Sequence, residues 1–195
     1  MKRIPNIIFL LALAVMLSDS GCGTRAGIAP AGLKAGSGTA RLGPRLLAAA
    51  MNYKGVRYVS GGRSSEGVDA VGLIFLSYLK ATGKDWDNLA TWPRMLVETE
   101  ALGKPVEGLQ GVPKGMIDFA KIAKGDIIYF LIPFRVGSDA DPLVIINKVE
   151  YWAWTMGISA GKAQCLHARS DDRVRIDPID ELLGEDDAIF VTRLE

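Results

Sequence analysis

The stretch from Gly55 to Gly83, GVRYVSGGRSSEGVDAVGLIFLSYLKATG, constrains the fold more than any other part of this 195-residue chain. Gly55, Gly61, Gly62 and Gly67 mark a turn-rich segment that ends at Asp69. A short carboxylate there is a good helix N-cap, and Gly83 suits the position just past a helix end. Between them Leu73, Ile74, Leu76, Tyr78 and Leu79 leave little polar face, so the spacing predicts a central, buried helix after Asp69. A helix of that kind needs apolar partners on several sides, and the rest of the chain must supply them.

Those partners are readable as a change of pattern along the sequence. Pro44 can occupy the first turn of a helix, and Leu46, Leu47, Ala50 and Met51 give it an apolar face up to about Tyr53. Pro93 to Leu102 reads as a third, amphipathic helix closed by Gly103. From Gly125 the pattern turns to strands. Asp126 to Leu131 is a short continuous apolar run after a Gly-Asp turn, and Leu143 to Val149 reads as another strand. Residues 152–159 and 163–168 flank Ala160-Gly161-Lys162 as a hairpin, and 173–176 and 188–194 are the last strands. Trp152 and Trp154 alternate with Ala153 and Thr155, which places both indoles on one face, opposite Thr155, in the core. Helices first and strands afterwards predict an α+β fold, with N-terminal helices packed on an antiparallel sheet.

The ends of the chain bound its location. Lys2 and Arg3 precede an apolar run of eleven residues, Ile7 to Leu17, too short to span a bilayer, so residues 1–21 read as a signal peptide. Ser20-Gly21-Cys22 resembles a bacterial lipoprotein processing site, although Asp19 stands where an apolar residue is usual. Lipidation of Cys22 and ordinary signal cleavage nearby are both compatible with this stretch. Residues 22–40 are rich in Gly and Ala and read as a lipidated cysteine and flexible tether, leaving one domain over 41–195. Removing residues 1–21 takes away two positive charges and one negative, so the formal net charge falls from +1 to zero. A neutral chain has no electrostatic footprint for nucleic acid. With Cys22 lipidated, Cys165 has no partner and no internal disulfide forms.

The order of parts from residue 44 onward resembles the NlpC/P60 family of papain-like cell-wall peptidases. Gly55, Tyr58, Gly61 and Gly62 match the family's Gly-x-x-Tyr-x-x-Gly-Gly turn, and Asp69-Ala70-Val71-Gly72 stands at its Asp-Cys-Ser-Gly helix start. Gly125-Asp126 enters a strand as in the family, Thr155-Met156-Gly157-Ile158-Ser159 aligns with a His-Val-Gly-Ile-Tyr strand, and His167-Ala168 matches the returning His-Ala. The resemblance implies a catalytic set in which a cysteine at a helix N-terminus is favoured as thiolate by the helix dipole, a histidine takes its proton, and a third residue orients that imidazole. Here the nucleophile position is Ala70, the base position is Thr155, and only the orienting position, His167, keeps its residue. Alanine has no lone pair and threonine is no base near neutral pH, so two of the three roles are empty.

The remaining candidates have a functional and a plain reading each. Tyr58, Arg63, Ser64 and Asp69, with Arg57, belong to the wall of the implied cleft as substrate-binding residues; Asp69 either holds a stem-peptide amine, as the resemblance implies, or simply caps the helix. Cys165 and His167 share a strand face, so a displaced thiol is conceivable, but a mid-strand cysteine is more often a small buried hydrophobe. His167 is either part of a binding site or a polar remnant at the core edge. Ala70 alone is explained by inactivation of an active parent, but Thr155 points to natural decay. Ile132 to Val149 is longer than the family pattern needs, as a lid, a partner-binding insertion or an elaborated edge strand.

The resulting expectation is an envelope lipoprotein with an inactive NlpC/P60-like domain. It binds peptidoglycan stem peptides or an envelope protein, and a lipid anchor holds it on the periplasmic side of a membrane, the outer one by preference if there are two. The alternative is an active cell-wall cysteine peptidase or amidase, either using a displaced thiol or represented here by an inactivated form. No metal cluster, phosphate loop or cofactor motif occurs in the sequence, so no cofactor and no metal are expected.

Overall fold

A computed structural model describes residues 41–85, 92–135 and 141–195. The signal peptide, Cys22 and the tether expected from sequence lie outside the described residues. Helix α1 (Leu42–Ala50) carries Pro44 in its first turn and buries Leu46, Leu47, Ala49 and Ala50, then tightens into a 3-10 turn over Met51–Tyr53. Helix α2 (Ala70–Thr82) begins as the Asp69 carboxylate accepts the Gly72 N–H at 2.7 Å and ends at Gly83 in the left-handed region, φ 71°. Leu73 and Ile74 are fully buried, and such burial stabilises by about 1.5–3 kcal/mol per side chain. Helix α2 is central but not buried all round: Phe75, Leu76 and Tyr78 are partly covered and Leu79 is exposed. Helix α3 (Pro93–Glu98) is shorter than expected, because the chain leaves the helix at Thr99 and passes through Glu100 at φ 52°.

Two short strands, β1 (Arg63–Ser64) and β2 (Gly67–Val68), pair as a small ribbon before α2. The main sheet holds β3 (Lys104–Pro113), β4 (Ile127–Ile132), β6 (Val149–Gly161), β7 (Gln164–Ala168), β8 (Val174–Pro178) and β9 (Ala188–Arg193) in the order β3-β9-β4-β6-β7-β8, all antiparallel, with β5 (Val144–Ile146) added beside β6. Alternation along the strands divides the apolar residues between two cores. Ile127, Tyr129, Leu131, Met156, Ile158, Leu166 and Phe190 face the helices, packing on Leu46, Leu47, Leu73, Ile74 and Leu96. Ile128, Phe130, Cys165, Ile189 and Val191 face the other way, against Leu109, Ile122, Ile179 and Leu183. Asp126, buried before β4, accepts both Arg193 Nε and Arg193 Nη2 at 2.8 Å and the Ala123 N–H at 2.7 Å, which fixes the Gly-Asp turn against β9.

Three strand expectations change in detail. The expected strand 143–149 is the hairpin of β5 and the start of β6, because Asn147 and Lys148 both take positive φ (51° and 69°), the requirement of a two-residue turn. The 160–162 turn moves to Lys162-Ala163, again with positive φ at both (55° and 57°). The third change alters the functional surface. The pairing of β4 with β6 shifts between Phe130–Thr155 and Leu131–Ala153, so Trp154 is an extra residue in a β-bulge. Trp152 and Thr155, opposite Ile132 and Phe130, therefore share a face, against the expectation from strict alternation. Trp152 is 8% exposed, whereas Trp154 leaves the core and is 46% exposed.

Candidate functional site

The site is built where the start of α2 meets β6 and β7. The glycine turn is held there by close backbone approach: the Asp69 N–H donates to Gly62 O at 3.2 Å, and a Cβ on Gly72 would drive into the Gly62 carbonyl. The Asp69 carboxylate is committed twice, one oxygen to the Gly72 N–H and the other to the Gly61 N–H at 2.8 Å. Helix capping is thus its observed work, and it ties the turn to the helix.

A cavity of about 560 Å³ opens at this junction. Ala70, Thr155 and His167 all line it, as do Tyr58, Asp69 and Val71. Arg63 and Ser64, expected on the same wall, are not part of its lining: the Arg63 guanidinium lies 5.2 Å from the centre of the Phe75 ring, and Ser64 Oγ accepts the Glu66 N–H at 3.2 Å. Arg57, the remaining candidate of that segment, is likewise outside the lining and donates from Nε to Glu66 O at 2.8 Å.

His167 has a partner that the sequence reading did not include. It is 4% exposed, and its Nε2 lies 2.8 Å from Asp177 Oδ2 on β8. Asp177 Oδ1 accepts Arg175 Nε and Nη2 at 2.8 and 2.6 Å. The register explains the line-up: His167 pairs with Arg175 and Cys165 with Asp177, so Asp177 is a diagonal neighbour on the His167 face. Burial lowers the affinity of His167 for a second proton and outweighs the Asp177 carboxylate, so the imidazole is neutral at neutral pH. Burial opposes the charge on Asp177 in turn, but hydrogen bonds from His167 and Arg175 prevail and hold its carboxyl below the usual range. A neutral ring whose Nε2–H goes to Asp177 keeps Nδ1 as an acceptor. Alternation on β8 was the one available signal for this pair.

Cys165 shares the His167 face but not the site. It is fully buried in the second core, its Sγ is 3.6 Å from Leu166 O, and burial pushes its thiol far above the ordinary range. Trp154, Arg169, Ser170, Asp171 and Glu181 also line the cavity, and none of them is a candidate from sequence. Trp154 arrives through the bulge, Arg169, Ser170 and Asp171 on the turn between β7 and β8, and Glu181 in a 3-10 turn over Ile179–Leu182, where no periodicity announces them. Among the described residues no group of three or more His, Cys, Asp or Glu is placed to hold a metal ion.

No protein-family model matches the sequence, and no curated protein does either. Solved structures do match. An N-acetylmuramoyl-L-alanine amidase from Bacteroides uniformis superposes with TM-score 0.57 at 13% identity, covering 79% of this chain and 99% of that one. NlpC1 from Trichomonas vaginalis gives TM-score 0.52 at 19% identity, over 81% of this chain and 46% of that one. A non-catalytic NlpC/p60 domain protein of Mycobacterium tuberculosis gives 0.46 at 16% identity, over 80% and 99%. At these identities the likeness is one of fold, and the chain carries the papain-like NlpC/P60 fold, a few helices packed on an antiparallel sheet.

Proposed function

We propose that this chain is an envelope lipoprotein, anchored through Cys22, whose NlpC/P60 domain binds peptidoglycan stem peptides without cleaving them. The observation that carries the reading is the open cavity at which Ala70, Thr155 and His167 meet. An old catalytic site that served only folding would be free to fill, whereas a retained cleft of this volume accommodates a ligand. The groups at its wall suit binding rather than acyl transfer. Ala70 carries no nucleophile at the helix start, Thr155 is no base, and His167 is tied to Asp177. Burial of Cys165, with its thiol pushed up and outside the cavity lining, weighs against the alternative of a peptidase with a displaced nucleophile. Peptidoglycan as ligand draws support from the structural likeness to a muramoyl-alanine amidase.

The test is incubation of the chain with purified muropeptides, followed by binding and product analysis. Saturable binding with no new products is expected. Introducing Ala70→Cys and Thr155→His together should restore cleavage, and neither should do so alone. Cleavage by the unaltered chain that disappears with Cys165→Ala or His167→Ala overturns the proposal.

A further inference from the structure

The bulge in β6 does something that packing alone does not require. A regular strand would have sent Trp154 into the sheet's alternation; the extra residue places it instead at the cavity, half-exposed, while Trp152 remains buried. Leaving an indole half in water forfeits part of the burial free energy that Trp152 gains, and here it does so at a ligand-sized opening, where an occupant would recover it. The groups around it narrow the chemistry. Tyr58 and Pro93 add further flat or apolar surface, and Ser170, Asp171 and Glu181 supply hydroxyl and carboxylate groups on the same lining. Arg169 Nε donates to Asp171 Oδ1 at 2.6 Å on this exposed part of the lining.

An aromatic face bordered by planar polar side chains fits a molecule with an apolar face and a rim of hydroxyls. A pyranose ring has that shape: its axial C–H groups lie against the aromatic plane, and its hydroxyls reach the carboxylates. A peptide backbone offers planar amides but no ring with C–H groups on one side and hydroxyls around its edge. We infer that Trp154 forms a saccharide-ring subsite, so that the cavity takes a sugar-linked peptide in preference to the free peptide. This rests on the peptide-binding reading above and extends it to the ligand's other half.

The experiment is a calorimetric titration of the full chain with a disaccharide-linked stem peptide and, separately, with the same peptide lacking sugar, for the unaltered protein, Trp154→Ala and Trp154→Phe. The unaltered chain should favour the sugar-linked ligand by about tenfold, the scale of one well-placed aromatic anchor. Trp154→Ala should abolish that preference, bringing the two affinities together, and an unchanged urea unfolding transition shows that the variant is folded. Trp154→Phe should keep part of the preference. A preference that survives Trp154→Ala, equal losses for both ligands, or no preference in the unaltered chain overturns the sugar subsite while leaving peptide binding intact. Binding of neither ligand by the unaltered chain overturns the peptide-binding reading and the subsite with it.

Discussion

Replacing Asp177 by Asn tests whether the His167–Asp177–Arg175 line is a coupled structural unit. Asp177 is 6% exposed and accepts three hydrogen bonds, one from His167 Nε2 and two from Arg175. Asn keeps the volume but has one acceptor oxygen, and its NH₂ group must face one of the two donors. Arg175 is partly exposed and can turn to water, whereas His167 is buried and cannot. The loss is therefore dominated by one charge-assisted hydrogen bond to a buried ring, about 2 kcal/mol, with little added for the solvated arginine. For a domain of this size that corresponds to roughly 4–8 °C in melting temperature. Urea unfolding with an unchanged m-value is the assay, together with His167→Gln and the double variant. The cycle should show a coupling of about 1 kcal/mol or more between the two positions. A cost for Asp177→Asn below about 0.5 kcal/mol, or strict additivity with His167→Gln, would refute the argument that the carboxylate fixes the imidazole.

Other outcomes follow from the same geometry. Because burial holds His167 below its ordinary value of 6.5, the unfolded chain takes up the proton first, so stability should fall as pH drops below about 6.5, and His167→Gln should flatten that slope in pH-dependent melting. Asp177, held below its ordinary 3.8, contributes stability that is present above that value and lost as pH falls below it, and Asp177→Asn should remove this acid limb. Gly72→Ala should destabilise by about 3 kcal/mol or more in urea, because the new Cβ meets the Gly62 carbonyl and backbone must move. Asp69→Ala should cost about 1–2 kcal/mol; Asp69→Asn, with one acceptor oxygen, should keep the Gly72 cap and lose the exposed Gly61 bond at about 0.5–1.5 kcal/mol, and a large loss of muropeptide affinity in a stable Asp69→Asn would instead assign the carboxylate to the ligand.

Much of this architecture was legible because its signals are local. Asp69 and Gly83 bracket α2 by capping chemistry, and the apolar run from Asp126 to Leu131, of strand length and entered through a Gly-Asp turn, is the buried strand β4 at Ile127–Ile132. Strand β3 was not legible. Pro105 and Pro113 stand in it, Gly108 and Gly111 take positive φ, and its register against β9 shifts twice, so no alternation survives to be read. The cavity shows the same division. Ala70, Thr155 and His167 come together from motif order, whereas Trp154 depends on a one-residue bulge that reverses its face and Asp177 on a cross-strand diagonal. Arg63 and Ser64, near the motif in sequence, are directed away by the β1–β2 ribbon.

The double commitment of Asp69 also bears on the binding proposed above. With one oxygen on the Gly61 N–H and the other on the Gly72 N–H, the wall of the cleft from turn to helix is already in place before anything enters. Ordering a free segment costs on the order of 1 kcal/mol per residue, so a loose wall of ten residues would withhold most of the free energy of a modest complex. Here that entropy is lost during folding, and even a few weak contacts can register as measurable affinity. The same economy separates frame from contents: the side chains at 70 and 155 line the opening, and Ala70 gives the core only a methyl group, so their chemistry can be exchanged while the frame keeps its shape.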